Sequence, residues 1–280
     1  MTIGYYKLSG AGNDFLGLVE PERIPAAEEI RTWCRRGVSL GADGVFVLSR
    51  SDGGAVDMAH FNADGGRAEL CLNGSRCAAR LAFELGWDRN GTVELHTDAG
   101  VLAARPAGDD TVEIELPPIV GEPEPRVLEV GSKNHEGWTV RVGVPHWVLP
   151  WPGSLAGAPV RELGPTLRSH PDLAPDGANV DFVRFVTANR FEIRTFERGV
   201  EAETLACGTG VVAAVAAGLA AGCLELPVSA LTAGGFELRV GGEAAAGRLH
   251  RPTFAGDARI LAHGELRDGE ASLPPLPSWS

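Results

Sequence analysis

The segment FNADGGRAELCLNGSRCAARLAFELG, residues 61–86, decides the fold, because FERGVEAETLACGTGVVAAVAAGLAAG, residues 196–222, repeats its plan. In each, a Phe closes an apolar stretch and a polar turn follows. A Glu-containing segment then leads to a Cys, and a run rich in small residues ends at Gly. Cys71 stands 15 residues before Gly86 and Cys207 stands 15 residues before Gly222, the two cysteines being 136 residues apart. Phe61 precedes Cys71 by 10 residues and Phe196 precedes Cys207 by 11. The small-residue runs read as helices closed by Gly, each with a thiol at its start. In the first, over 73–85, Arg76, Arg80 and Glu84 fall at i, i+4 and i+8 and form one polar stripe. The second is apolar on every side from Val211 to Ala221, so it must be wrapped all round.

Strand patterns surround both helices. IGYYKLSGAGNDFLGLV (3–19) reads as strand, Gly-rich loop at 9–14 and strand. PAAEEIRTWCRRG (25–37) is helical, with Pro at its start and Gly at its end. GADGVFVLSR (41–50) is a turn and a buried strand, and VDMAHFN (56–62) is another strand. TVELHTDAG, VLAARP and TVEIELPP continue the strands after Gly86. ELPPIVGEPEPR (115–126) is the candidate boundary. Beyond it come strands near 126–131 and 138–149, then a weakly patterned stretch with Pro150, Pro152, Pro159, Pro165, Pro171 and Pro175. Strands at 180–186 and 190–197 lead to the second helix, and strands near 236–240, 244–249 and 258–263 close that half. The tail LPPLPSWS reads as disordered. The economical fold class is α/β (α+β): two pseudo-symmetric domains, each a curved, barrel-like sheet around one central helix.

Composition narrows the partners. A net charge of −12, from 37 acidic and 25 basic residues, argues against nucleic acid, whose phosphates need a basic patch. No apolar run is long enough for a membrane span. The start, MTIGYYKLSGAGNDF, has no basic segment followed by an apolar one, so a cytoplasmic location is the expectation. Five scattered cysteines without a CxxC fit reduced thiols better than a disulfide framework. Cys34, Cys77 and Cys223, within or at the end of apolar helices, are expected to be small buried hydrophobes.

A helix start carries free backbone N–H groups and the positive end of the macrodipole, so it binds anions. A thiol there is expected to have a lowered pKa. Two such ends gripping one carboxylate would place a sulfur on either face of its α-carbon. One thiolate removes the proton and one thiol returns another. Each preorganised donor facing the developing negative charge is typically worth about 3–4 kcal/mol. No cofactor is called for: the seven His show no metal-ligand spacing, and neither Lys7 nor Lys133 stands in a Schiff-base position. Glu203 is open to two readings, a cap for the second helix or a support for Cys207. Asp43 and Asp64, each before Gly, read as turn formers, and His146 reads as structural.

These residues make the chain recognisable. KLSGAGNDF (7–15), GADG (41–44), FNADGGRAELCLNGSRC (61–77), VPHW (144–147), ANVDF (178–182), ERGVEAETLACGTG (197–210) and GDARILAHGEL (256–266) resemble, in order, the motifs of diaminopimelate epimerase. That family uses no cofactor and serves lysine and cell-wall precursor synthesis. The resemblance implies two barrel domains, 1–118 with 263–280 and 119–262, with the last strand returning to the first domain and the site in the cleft between them. Closure of that cleft on substrate is the implied motion. It implies Cys71 and Cys207 as the catalytic pair, and backbone groups of Leu72, Asn73, Gly208 and Thr209 on the reacting carboxylate. Asn13, Asn62, Asn179, Glu197 and Arg198 match residues that hold substrate, several at its distal end. The implied partner is a small amino acid, with no metal, nucleic acid or membrane, and a homodimer is the assembly the analogy suggests.

The chain departs from the pattern at Leu72 (usually Gly), Val144 (often Asn), Trp147 (commonly Cys) and Gly44 (often Gln), and the loop after ERG is one residue longer than usual. A need for positive φ at 72 would be strained with Leu. Two alternatives follow: the same two-thiol chemistry on another amino acid, or an isomerase or binding relative that does not use the thiols.

Overall fold

The computed structural model describes residues 2–51, 53–68 and 70–267. The tail at 273–280 lies outside the described residues. Four α-helices appear among those described: α1 (Ala27–Cys34), α2 (Leu72–Glu84), α3 (Val160–Arg168) and α4 (Gly208–Ala220). Contacts divide the chain into one unit up to Val112 together with the segment from Ala258 onward, and a second unit, Glu113–Asp257.

In the first unit, Thr2–Gly10 pairs antiparallel with Asn13–Val19 and, on its other side, with Arg259–Arg267. Asn13–Val19 lies parallel to Gly44–Arg50, the crossover being α1. Gly44–Arg50 pairs antiparallel with Val56–Asn62, which lies parallel to Val93–Thr97 after the α2 crossover. A hairpin to Gly100–Gly108 follows. The second unit repeats this. Lys133–Val142 pairs antiparallel with Glu124–Val130 and with Val144–Pro150. Val144–Pro150 lies parallel to Asn179–Thr187 after α3, and Asn179–Thr187 pairs antiparallel with Arg190–Glu197. Arg190–Glu197 lies parallel to Val228–Thr232 after α4, and Glu237–Ala245 and Arg248–Asp257 complete the sheet. The repeat therefore covers each whole unit, not the Cys segments alone.

The helix expectations hold with instructive exceptions. In α4, every residue from Gly210 to Leu219 is buried, as an all-apolar helix requires. Burying each Val or Leu there contributes roughly 1.5–3 kcal/mol. Both Cys helices end alike. Trp87 N–H donates to Ala82 C=O at 2.9 Å, and Cys223 N–H donates to Gly218 C=O at 2.8 Å, with Gly86 (φ 66) and Gly222 (φ 68) supplying the left-handed residue. Cys223 thus falls just past the helix in a surface turn and is exposed, a correction to the buried-hydrophobe expectation that Cys34 and Cys77 meet. Arg76 also departs from expectation. It is 0% exposed inside the wrap of strands around α2, while Arg80 and Glu84 remain as the outer ion pair.

Two elements were hidden in the sequence. Helix α3 lies in the proline-marked stretch and contains Pro165. Its apolar face, Val160, Leu163 and Leu167, packs against Phe182 and Phe196. Gly164 allows the close approach, since a Cβ there would stand 2.6 Å from the Phe196 ring. Gly and Pro interleaved with the apolar positions disguised the helical period. Strand Val228–Thr232 is five residues long, paired between Arg190–Glu197 and Glu237–Ala245, and too short for alternation to announce it.

Candidate functional site

In the first unit, Cys71 is the N-cap of α2, in extended backbone conformation (φ −133, ψ 107), and its Sγ accepts a hydrogen bond from Gly74 N–H at 3.4 Å. Leu72 is the first helical residue and is not among the residues with positive φ, so the strain that the Gly-to-Leu change threatened does not arise. Its backbone N–H remains one of the free donors at the helix start. Asn73 is buried beside it. Asn73 Nδ2 donates to Asn13 Oδ1 at 2.7 Å, and the Arg76 guanidinium donates to Asn73 Oδ1 at 2.8 Å. Asn13 Nδ2 donates in turn to Asp43 Oδ2 at 3.0 Å. Asn62 ends its strand, exposed, directly opposite Gly44. The first unit thus brings Cys71, Leu72, Asn73 and Asn13 together at one helix start.

In the second unit, Cys207 is the N-cap of α4 (φ −114, ψ 107), followed by Gly208 and Thr209. Cys207 Sγ lies 3.4 Å from Thr209 Oγ1. The Glu197 carboxyl accepts from Thr204 Oγ1 at 2.5 Å and from the Cys207 thiol. Burial pushes the Glu197 carboxyl above the ordinary range. The Cys207 thiol is raised well above the usual thiol range, by burial first and then by the charges of Glu197 and Asp181. This corrects the expected lowering: enclosure and two carboxylates outweigh the helix dipole, so Cys207 is held as the protonated thiol.

Arg198 does not pair with Glu197. Its backbone N–H donates to Asn179 Oδ1 at 2.8 Å and its guanidinium donates to Asp176 C=O at 3.2 Å. With Oδ1 committed to that donor, Asn179 turns Nδ2 toward His146 Nε2 at 3.4 Å. Nε2 is then the acceptor, and the network assigns the proton to Nδ1, which donates to Asp181 Oδ2 at 2.8 Å. Thr195 Oγ1 donates to Asp181 Oδ1 at 2.8 Å. Asp181 lies directly beneath α4, where any side chain at Gly210 would collide with its carboxylate.

Several residues take roles the sequence did not reveal. Glu203 neither caps α4 nor supports Cys207. Arg194 holds it at 2.6 and 2.9 Å while also donating to the C=O groups of Leu155 and Ala158. Asp64 is a turn former, accepting Gly66 N–H at 2.7 Å. Asp43 is not: its carboxylate bridges Asn13, the Asp14 N–H and Arg36. The polar set His146, Asp181 and Thr195 left no signal beyond alternation on strands. Among the described residues, no group of three or more His, Cys, Asp or Glu is placed to hold a metal ion, and no helix is long and apolar enough to cross a membrane.

The fold is shared with solved structures of an epimerase and of a phenazine biosynthesis protein. The structure of a hydroxyproline epimerase from Agrobacterium vitis matches with a TM-score of 0.66 at 18% identity, covering 95% of this chain and 92% of that one. A PhzF-family phenazine biosynthesis protein from Enterococcus faecalis matches with a TM-score of 0.70 at 17% identity, covering 95% of this chain and all of the other. In sequence, the diaminopimelate epimerase profile matches residues 5–117 and 138–247. Diaminopimelate epimerases from Methanothrix thermoacetophila and Aquifex aeolicus are 39% and 35% identical, over 82% and 84% of this chain and 86% and 88% of theirs. That of Acidovorax ebreus is 32% identical over 95% of this chain and 98% of its own length. The chain belongs to the diaminopimelate epimerase family and is an isomerase.

Proposed function

We propose that the chain interconverts LL- and meso-2,6-diaminopimelate, in lysine and cell-wall precursor synthesis, by moving the Cα proton between the thiols of Cys71 and Cys207. The observation that carries this is the duplicated setting: each thiol is the N-cap of a central helix, beside free backbone donors. One thiolate takes the Cα proton, breaking the C–H bond, and the electron pair spreads into the adjoining carboxylate. N–H groups at Leu72, Asn73, Gly208 and Thr209 offset that charge as it forms. The other thiol gives its proton to the opposite face, so the two sulfurs exchange protonation states and nothing is oxidised or reduced.

Cys207, held protonated, begins as the acid. In the reverse direction Cys207, left as thiolate by that exchange, is the base, and Glu197, hydrogen-bonded to its sulfur, holds it in place. Arg198 suits a substrate carboxylate, and Asn62 and Asn179 suit either end of a zwitterion. The names of the relatives support diaminopimelate as the substrate.

The test is solvent-deuterium entry at Cα of diaminopimelate. Label entering both epimers supports the assignment, and no label with the wild-type chain sinks it. A second reading, the same chemistry on an amino acid with one zwitterion, is favoured by Val144, which leaves a partly exposed apolar side chain where an amide is common. A panel including amino acids that lack the second end separates the two.

A further inference from the structure

Four side chains of the first unit form one hydrogen-bonded chain whose ends carry opposite charge. At one end is Arg76, 0% exposed on α2, a group that can only donate. At the other is the Asp43 carboxylate, which can only accept and is itself fixed. Its Oδ1 accepts from Arg36 at 2.7 Å, and its Oδ2 accepts from the Asp14 N–H at 3.1 Å. Arg36 also pairs with Asp14, which pairs with Lys7 at 2.6 Å. Between the two ends stand Asn73 and Asn13, joined by their carboxamides.

That arrangement removes the freedom of both amides to turn over. Arg76 forces Oδ1 of Asn73 toward it, so Nδ2 faces Asn13. Asn13 must then present Oδ1 to Asn73 and Nδ2 to Asp43. A flipped Asn13 would set amide against amide on one side and carbonyl oxygen against carboxylate on the other. Each carboxamide, after these bonds, offers one N–H and one lone pair in a fixed direction.

We propose that Asp43 is a positioning residue: by accepting from Asn13 Nδ2 it fixes the direction in which Asn13 presents its remaining N–H and lone pair to substrate. This rests on the proposed function, together with the family resemblance that implies Asn13 as a residue holding substrate. Asp43 itself touches no reacting atom. Its requirement is an acceptor at Oδ2, not a charge. Asn at 43 can set its carbonyl oxygen in that place, while Ala cannot.

The experiment compares wild type, Asp43→Ala and Asp43→Asn with two readouts. The first needs no substrate: the side-chain 1H–15N signals of Asn13, identified by their loss in Asn13→Ala. They should shift and broaden in Asp43→Ala and return toward wild type in Asp43→Asn. The second is steady-state kinetics with diaminopimelate. KM should rise about tenfold in Asp43→Ala with kcat changed less than about threefold, as loss of one anchoring hydrogen bond implies, and Asp43→Asn should restore KM to within about threefold. Unchanged Asn13 signals and KM in Asp43→Ala overturn the proposal. So does an Asp43→Asn variant as impaired as Asp43→Ala, which would make charge or the loop itself the requirement. If wild type is inactive on diaminopimelate, the functional reading fails, while the Asn13 signals still decide the role of Asp43.

Discussion

The two units solve the same problem, holding a Cys at the start of a wrapped helix, with different interiors. Strand registers align them. Phe46 pairs with His60 as Asp181 pairs with Thr195, and Phe15 faces Gly44 as His146 faces Asn179. Beneath α2 the three places are therefore held by Phe15, Phe46 and His60. Phe15 meets Phe46 at a tilt and His60 edge-on, with ring centres 6.3 and 5.8 Å apart. Beneath α4 the same places hold His146, Asp181 and Thr195, joined by hydrogen bonds. The first unit carries its polar chain along the helix start, through Asn73, Asn13 and Asp43, instead of through the interior. The difference teaches that the backbone repeat fixes where the sulfurs stand, while the residues of the layer beneath are free to differ and, under Cys207, raise its thiol. Glu197 and Asp181, the carboxylates that raise Cys207, have Asn62 and Phe46 at the corresponding places below Cys71.

The largest effect should come from the sulfurs. Cys71→Ala and Cys207→Ala should each lower the epimerisation rate by about a thousandfold or more, as loss of a positioned acid or base does. Cα deuterium exchange measured separately from each epimer checks this, and activity near wild type in either variant would break the two-thiol scheme. The next concerns the polar layer. Asp181→Ala strips partners from both His146 and Thr195 at a site with 0% exposure. Urea unfolding should show a loss of about 3–5 kcal/mol. Phe46→Leu, at the matching place in the first unit, should cost about 1 kcal/mol. Equal losses would mean that the two layers do not differ as described.

His60 sharpens the comparison through pH. Burial, with Arg67 as a lesser cause, lowers its pKa from 6.5 to about 4, and neither ring nitrogen has a hydrogen-bond partner. The native protein keeps it neutral while the unfolded chain protonates near 6.5, so stability falls as pH drops through that window. The full swing is about 3 kcal/mol. In His60→Leu the decline between pH 6.5 and 4 should shrink by about that amount, and an unchanged slope would refute it. The smallest effect is at Glu197. Its raised pKa means that burial favours the neutral form, a contribution present at low pH and lost as pH rises through the folded value. Glu197→Gln should therefore gain about 1 kcal/mol at neutral pH by thermal unfolding, even as epimerase activity falls.

The sequence by itself determined the repeat, both helices and the thiol at the start of each. Those signals are local: spacing, a Gly after each helix, and an all-apolar run that can exist only inside a wrap. Tertiary structure decided the rest. Helix α3 became visible only through its packing on Phe182 and Phe196, because Gly164 and Pro165 broke the pattern that periodicity needs. The burial of Arg76 and the bridging role of Asp43 depend on partners that lie far away in the chain. The protonation of Cys207 reversed the local expectation, because a helix start lowers a thiol pKa only where burial and carboxylates do not oppose it. Where the sulfurs stand follows from local pattern, while the form that Cys207 favours follows from burial and from the carboxylates that strand pairing brings beneath it.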